Sequence, residues 1–151
     1  MENIFDAKTA QHYISRLNGL TVNAERKWGR MSASQMLAHL NVAYETIYES
    51  QKHPKPSGIA KWILKTFVKK KVVNDQPYKQ NLPTSPMFVI KEEPNFEEQK
   101  KRLIGFIQKT QQLGADSFEG KENTSFGKLT ATEWNNMLAK HLNHHFAQFS
   151  I

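Results

Sequence analysis

Cysteine is absent from the 151 residues. Its absence excludes disulfides, thiolate-bound zinc and a protein thiol nucleophile, and it makes a reducing cytoplasm the natural setting. No apolar run approaches the roughly 20 residues that cross a bilayer as a helix. The opening Met1-Glu2-Asn3-Ile4-Phe5-Asp6 is acidic and has no apolar signal-peptide core. Acid is scarce overall: 14 Asp and Glu stand against 21 Lys and Arg, for a formal charge of +7. A basic excess points to nucleic acid or acidic lipid when it is clustered. Here the lysines are spread along the chain, and the tightest group is Lys69, Lys70 and Lys71, so a solvated surface is the expectation. Repeats, low-complexity tracts and linkers are also missing. A single domain over residues 1–151 follows, long enough to bury its own core.

What is present is helical periodicity. Ala10, Tyr13, Leu17 and Leu20 mark a helix from about Asp6 to Gly19, with Gly19 as its stop. Ser32 and Gln35 form a capping box, and Met31 with Met36 a hydrophobic staple, so a second helix starts at Ser32 and runs to about Lys52, ahead of Pro54 and Pro56. A third long helix begins near Asn95, with Glu98 at the capping-box spacing; it buries Phe96, Leu103, Phe106, Ile107 and Leu113 and ends at Gly114. Thr130 boxes with Glu133 and Leu129 staples to Trp134, opening a last helix that reaches the chain end. Between the second and third long helices, Gly58 to about Val73 predicts a shorter basic helix. Pro77, Pro83, Pro86 and Pro94 then break the chain into extended pieces, in which Phe88, Val89 and Ile90 either pair as a strand or simply pack. Another loop spans about Ala115 to Gly127. The expected class is all-α: a four-helix bundle with an accessory helix and a long loop in the middle.

Six histidines carry the functional signal. Imidazole is the common neutral ligand for divalent transition metals, and two histidines four apart on a helix lie only about 40° apart around the axis. His141 and His145 have that spacing, with His141 and His144 as the competing pair. The apolar rhythm Trp134, Leu138, His141, His145, Phe149 puts His141 and His145 on the inward stripe and turns His144 about 100° aside. His39 sits beside the inward seam of the second helix, between Met36 and Ala43. It lies about 10 Å from the start of its helix, and the midpoint of the C-terminal pair lies about 12 Å from the end of the last one. In antiparallel helices of similar length, all three rings meet at one level. His39, His141 and His145 are therefore the candidate ligands of one divalent metal ion. The competing interpretation, a hydrogen-bonded core histidine, holds for any one of them better than for three at matched depth. His12 and His53 read as ordinary exposed or terminal residues.

The segments Trp28-Gly29-Arg30-Met31-Ser32-Ala33-Ser34-Gln35-Met36-Leu37-Ala38-His39-Leu40 and His141-Leu142-Asn143-His144-His145-Phe146-Ala147-Gln148-Phe149, with Asn81-Leu82-Pro83-Thr84 between them, resemble the DinB/YfiT-like superfamily. More narrowly they resemble a branch of it catalogued as a domain of unknown function. The resemblance implies a DinB-like four-helix bundle with an up-down-down-up course. It also implies a zinc or nickel ion on one histidine of the second helix and two, four apart, on the last, positions that match His39, His141 and His145. Characterised relatives are thiol-dependent transferases and isomerases, which implies a small-molecule substrate and an external low-molecular-weight thiol that the metal holds as thiolate.

Three functional classes follow. A metal-dependent enzyme, thiol S-transferase or hydrolase, suits three histidines with an open position. Hydrolysis would need a carboxylate as general base, but Leu142 replaces the Glu of an HExxH motif, and Glu45 and Glu49 fall about 80–120° around the helix from His39, on the expected solvent side. Gln35, His144 and Gln148 are candidates to hydrogen-bond a ring or line a pocket. The second class is a non-catalytic binding or interaction module with a vestigial or structural metal, in which a homodimer has a place. The third is membrane or nucleic-acid association through Lys61, Lys65 and Lys69 beside Trp62, Ile63, Phe67 and Val68. The expectation for that helix is instead that its apolar side covers the bundle and its lysines face water.

Overall fold

Each long helix is started by a side chain that satisfies its free N–H groups. In the computed structural model, which describes residues 1–151, Asp6 accepts from the Thr9 N–H to open α1 (Ala7–Gly19). Gly19 is its last residue, but the helix closes through a tight bond from the Leu20 N–H to the Leu17 carbonyl and not through a left-handed glycine. Ser32 and Gln35 cap each other reciprocally at the start of α2 (Ala33–Tyr48). This helix stops four residues short of the expected Lys52. Glu49 leaves helical dihedrals, its carboxylate turns to Arg102 and Lys52, and Ser50–Lys52 follow as a single 3-10 turn.

The basic helix is interrupted. α3 (Gly58–Ile63) widens into a π turn at Leu64–Val68 before α4 (Lys69–Val73). Phe88 belongs to a 3-10 turn, Pro86–Phe88, so the strand alternative for residues 88–90 fails. Asn95 caps α5 (Phe96–Leu113), and Gly114 ends it at a φ of 70°, the left-handed region that favours glycine. The loop after α5 is ordered by a 3-10 turn, Ala115–Phe118, and a two-strand antiparallel hairpin. In the hairpin β1 (Glu122–Asn123) pairs with β2 (Gly127–Lys128), and Asn123 Oδ1 accepts from the Ser125 and Phe126 N–H groups to form the turn. Thr130 and Glu133 box the start of α6 (Ala131–Gln148).

The chain is thus mostly helical, with one small sheet. α2 packs along α5 and also touches α6, and α1 packs against α5. Their apolar faces share one core, in which Tyr13, Leu17, Met36, Leu37, Leu40, Leu103, Ile107, Leu142 and Phe146 are fully buried. Burying a side chain of this kind is worth about 1.5–3 kcal/mol, so this core anchors the helices that carry the histidines. A second, smaller cluster of Val73, Phe118, Phe126, Leu129 and Trp134 lies between α4, the hairpin and the start of α6. Lys140 of α6 ties that helix to the end of α4. Its buried ammonium donates to the Lys71 and Asn74 carbonyls and to Asn74 Oδ1, at 2.9, 2.7 and 2.7 Å. No helix is long and apolar enough to cross a membrane.

The accessory helix departs from expectation in which side it hides. Leu64, Val68 and Val72 pack against the smaller cluster, whereas Ile59, Trp62, Ile63 and Phe67 face solvent. Its apolar residues outnumber what one face can bury, and the π turn shifts the residues after Ile63 around the axis.

Candidate metal centre

α2 and α6 each set histidine among core side chains. Met36, Leu37 and Leu40 pin α2 on both sides of His39, and Leu138, Leu142 and Phe146 do the same for α6 around His141 and His145. The three rings meet. Their centroids are 4.9 Å apart for His39–His141, 4.7 Å for His39–His145 and 4.9 Å for His141–His145. One ring nitrogen from each lies within 4.8 Å of the others, and His39 Nε2 stands 2.8 Å from His141 Nε2.

Partners on the far side of two rings decide which nitrogens point inward as lone pairs. His39 Nδ1 is 2.9 Å from the Phe88 carbonyl, which only accepts, so Nδ1 carries the hydrogen and Nε2 points inward as an acceptor. Gln148 does the same for His145. Its Nε2 donates to the Trp28 carbonyl at 2.7 Å, which fixes the amide orientation, so its Oε1 accepts from His145 Nδ1–H at 2.8 Å. Gly29 makes room for this bridge: at a φ of 80°, a Cβ there would fall 2.5 Å from Gln148 Nε2. His141 has no outer partner and meets His39 Nε2 directly, so one proton on His141 Nε2 bridges two nitrogens.

Charge reinforces this arrangement. Burial pushes the imidazolium form of His39 and His141 down, and takes His145 to about 3. All three rings are neutral at pH 7, the form that ligates metal. No carboxylate hydrogen-bonds to any of them. A donor set of three neutral imidazoles fits a divalent transition metal in chemistry, and the two rings held as Nδ1–H by outer acceptors fit it in orientation; His141 joins them once its hydrogen moves from Nε2 to Nδ1. The buried three-histidine group could hold a metal ion.

The family model described as "Protein of unknown function (DUF1569)" matches residues 3–150. The chain belongs to the DUF1569 family. No curated protein and no protein of solved structure matches it. In this DUF1569 chain the matched span includes every element that carries the three rings and both of their outer acceptors.

The other candidates of this family member separate clearly. Gln148 lies at the centre. His144 lies beside it, its ring 5.0 Å from that of His145 and edge-on between Trp28 and Tyr78 at 5.8 Å each, with its charged form disfavoured by burial. Gln35 does not reach the rings; its side chain caps α2 and donates to the Glu92 carbonyl. Glu45 corrects the expectation of a solvent-side residue. It is buried and paired with Arg102 of α5 and with His53, whose Nε2 is 2.6 Å away. His53 is thus a hydrogen-bond partner of Glu45 and not an ordinary terminal residue, because the 3-10 turn after α2 folds it back. Glu49 is shared by Arg102 and Lys52. Both carboxylates are engaged by cations and supply no base to the histidine centre.

Three contributors escaped the sequence reading as site residues. Phe88 provides the carbonyl for His39, and its ring packs 5.5 Å from that of His39. Trp28 provides the carbonyl for Gln148, and Gly29 the space. A backbone carbonyl carries no residue-type signal, and only the left-handed glycine after Trp28 offered a local clue.

Proposed function

We propose that this protein is a metal-dependent enzyme of DinB-like architecture that activates an external low-molecular-weight thiol for transfer to a small electrophile. In this reading α1, α2, α5 and α6 form a single-domain four-helix bundle with an up-down-down-up course. His39, His141 and His145 hold one divalent ion, zinc or nickel, with positions open to ligand. The observation that carries the reading is the convergence of three neutral rings with one nitrogen of each within 4.8 Å of the others, two of the rings braced from outside by Phe88 and Gln148.

When bound, the ion supplies a Lewis acid that lowers the pKa of a thiol and favours thiolate at neutral pH. The chain's own contribution is to keep that ion strongly acidic: three neutral nitrogens leave its full charge uncompensated, where a carboxylate ligand would have reduced it. Three protein ligands favour a reactive site over a structural one, because structural zinc sites close with four. Thiol activation is favoured over hydrolysis because Glu45 of α2 and Glu49 just beyond its end are committed to Arg102, His53 and Lys52.

Elemental analysis of purified protein tests the first step: near-stoichiometric zinc or nickel is expected. His39→Ala and His141→Ala should abolish it, and His144→Ala should leave most of it. Loss of metal in His144→Ala with retention in His145→Ala would overturn the ligand assignment. A screen of thiols against electrophiles with the loaded protein tests the second step, and turnover that survives removal of the metal would refute it.

A further inference from the structure

The accessory helix carries lysines at 61, 65, 69, 70 and 71 and no acidic residue between Gly58 and Val73. Its inner side is used up against the smaller cluster. Its outer side leaves Ile59, Trp62, Ile63 and Phe67 at 77, 61, 45 and 61 % exposure. Ile59, Trp62 and Ile63 share one side of α3 by helical spacing, and the wider π turn brings Phe67, five residues on, beside Trp62. Trp62 and Phe67 touch edge to face, their centroids 5.9 Å apart. The row is not a frayed end. Lys140 grips the Lys71 and Asn74 carbonyls, and Asn136 grips the Val73 carbonyl at 3.1 Å, so the helix is fixed to α6 with this face outward.

Large apolar side chains exposed together mark a binding face, and the surrounding charge selects what binds. Lys61 and Lys69 are answered by Glu122 and Glu133 at 3.6 and 3.1 Å. Lys55, Lys65, Lys70 and Lys71 have no acidic partner. We propose that this helix docks the protein on an anionic lipid surface, with Ile59, Trp62, Ile63 and Phe67 entering the headgroup boundary and the unpaired lysines meeting lipid phosphates. A second copy fits this face less well, since it would set unpaired lysines against unpaired lysines on chains of charge +7. Nucleic acid would use the lysines but leave the apolar row in water. The inference is independent of the histidine centre.

Co-sedimentation of the full chain with vesicles tests it. Binding to phosphatidylcholine mixed with phosphatidylglycerol should be at least about tenfold tighter than to phosphatidylcholine alone, since each lysine near an anionic surface is worth about a fivefold factor. It should fall steeply from about 0.1 to about 1 M salt as the Debye length shortens. Trp62→Ser/Phe67→Ser changes no charge and should weaken binding at least about tenfold by removing apolar burial. Circular dichroism should show its fold intact, because both residues are exposed. In the wild-type chain, brominated lipid in the mixed vesicles should quench tryptophan emission, a readout that needs no variant. Equal binding to neutral vesicles, a double variant that binds like wild type, or absence of quenching overturns the proposal. A wild-type dimer that the double variant dissociates, without vesicle binding, would assign the face to a second copy. Binding to duplex DNA but not to vesicles would assign it to nucleic acid.

Discussion

Replacing Gln148 by Ala removes both halves of one bridge without touching a candidate ligand. In the native protein the amide accepts from His145 Nδ1–H at 2.8 Å and donates to the Trp28 carbonyl at 2.7 Å. The truncated side chain leaves two polar groups without partners in a buried setting, each costing about 1–3 kcal/mol where water cannot replace the amide. It also frees the imidazole to turn and to move its hydrogen from Nδ1 to Nε2, the nitrogen that faces His39 and His141. Loss of an outer partner of this kind weakens metal binding about 10–100-fold, or about 1.4–2.8 kcal/mol at 1.4 kcal/mol per decade. Competition against a chelator of known affinity measures it, with thermal melting of the metal-free proteins as a separate readout of stability. Gln148→Glu sharpens the test: its carboxylate still accepts from His145 but cannot donate to the Trp28 carbonyl, so it should recover affinity while remaining less stable than wild type. A Gln148→Ala protein that is destabilised yet binds metal as tightly as wild type would refute the claim that this bridge orients the ring.

Gly29→Ala should act on the same bridge from the other side. Its Cβ would meet Gln148 Nε2 at 2.5 Å from a backbone with φ at 80°, so chelator competition should show weaker metal binding, and the double variant with Gln148→Ala should lose little more, as expected for coupled sites. Lys140→Met should cost about 3 kcal/mol by leaving the Lys71 and Asn74 carbonyls unpaired, lowering Tm by about 10 °C; an unchanged melting curve would show that water satisfies them. The metal-free protein should lose stability as acid is added. Burial lowers the three imidazole pKa values, with His145 at about 3, so below an unfolded value of about 6.5 the unfolded chain binds protons that the native state refuses. Stability is full above about pH 6.5 and falls below it, for His145 by up to about 1.4 kcal/mol per pH unit down to about pH 3, with His39 and His141 adding in the same direction; urea midpoints that stay flat between neutral pH and pH 5 would contradict it.

What the sequence made legible tracks how local each signal is. Ser32 with Gln35 and Thr130 with Glu133 are satisfied within one turn, and both helix starts appear where those pairs place them. The facing of His141 and His145 follows from helical spacing within one element. The end of α2 was not readable the same way, because Glu49 answers to Arg102 on another helix, 53 residues away. Glu45 was misplaced for the same reason: helical angle alone turned it to solvent, and Arg102 with His53 made its burial tolerable. The π turn and the hairpin between Glu122 and Lys128 lack a pattern longer than a few residues and escaped notice.

The same distinction runs through the histidine centre and says where its weak points lie. The outer partner of His145 is three residues along the same chain segment and was readable as a candidate; the outer partner of His39 is a carbonyl 49 residues away, on a turn between Pro86 and Phe88. Gln148 is in turn held by the Trp28 carbonyl, 120 residues back. The helices bring the rings together, but two loops set the direction of their lone pairs. Changes at residues 86–88 or 28–29 should therefore alter metal affinity while leaving helix content nearly untouched, whereas truncating Leu40 or Leu142 in the shared core should lower both together, by about 2–5 kcal/mol in stability. That contrast, helicity against affinity, separates a core that merely contains histidines from loops that aim them.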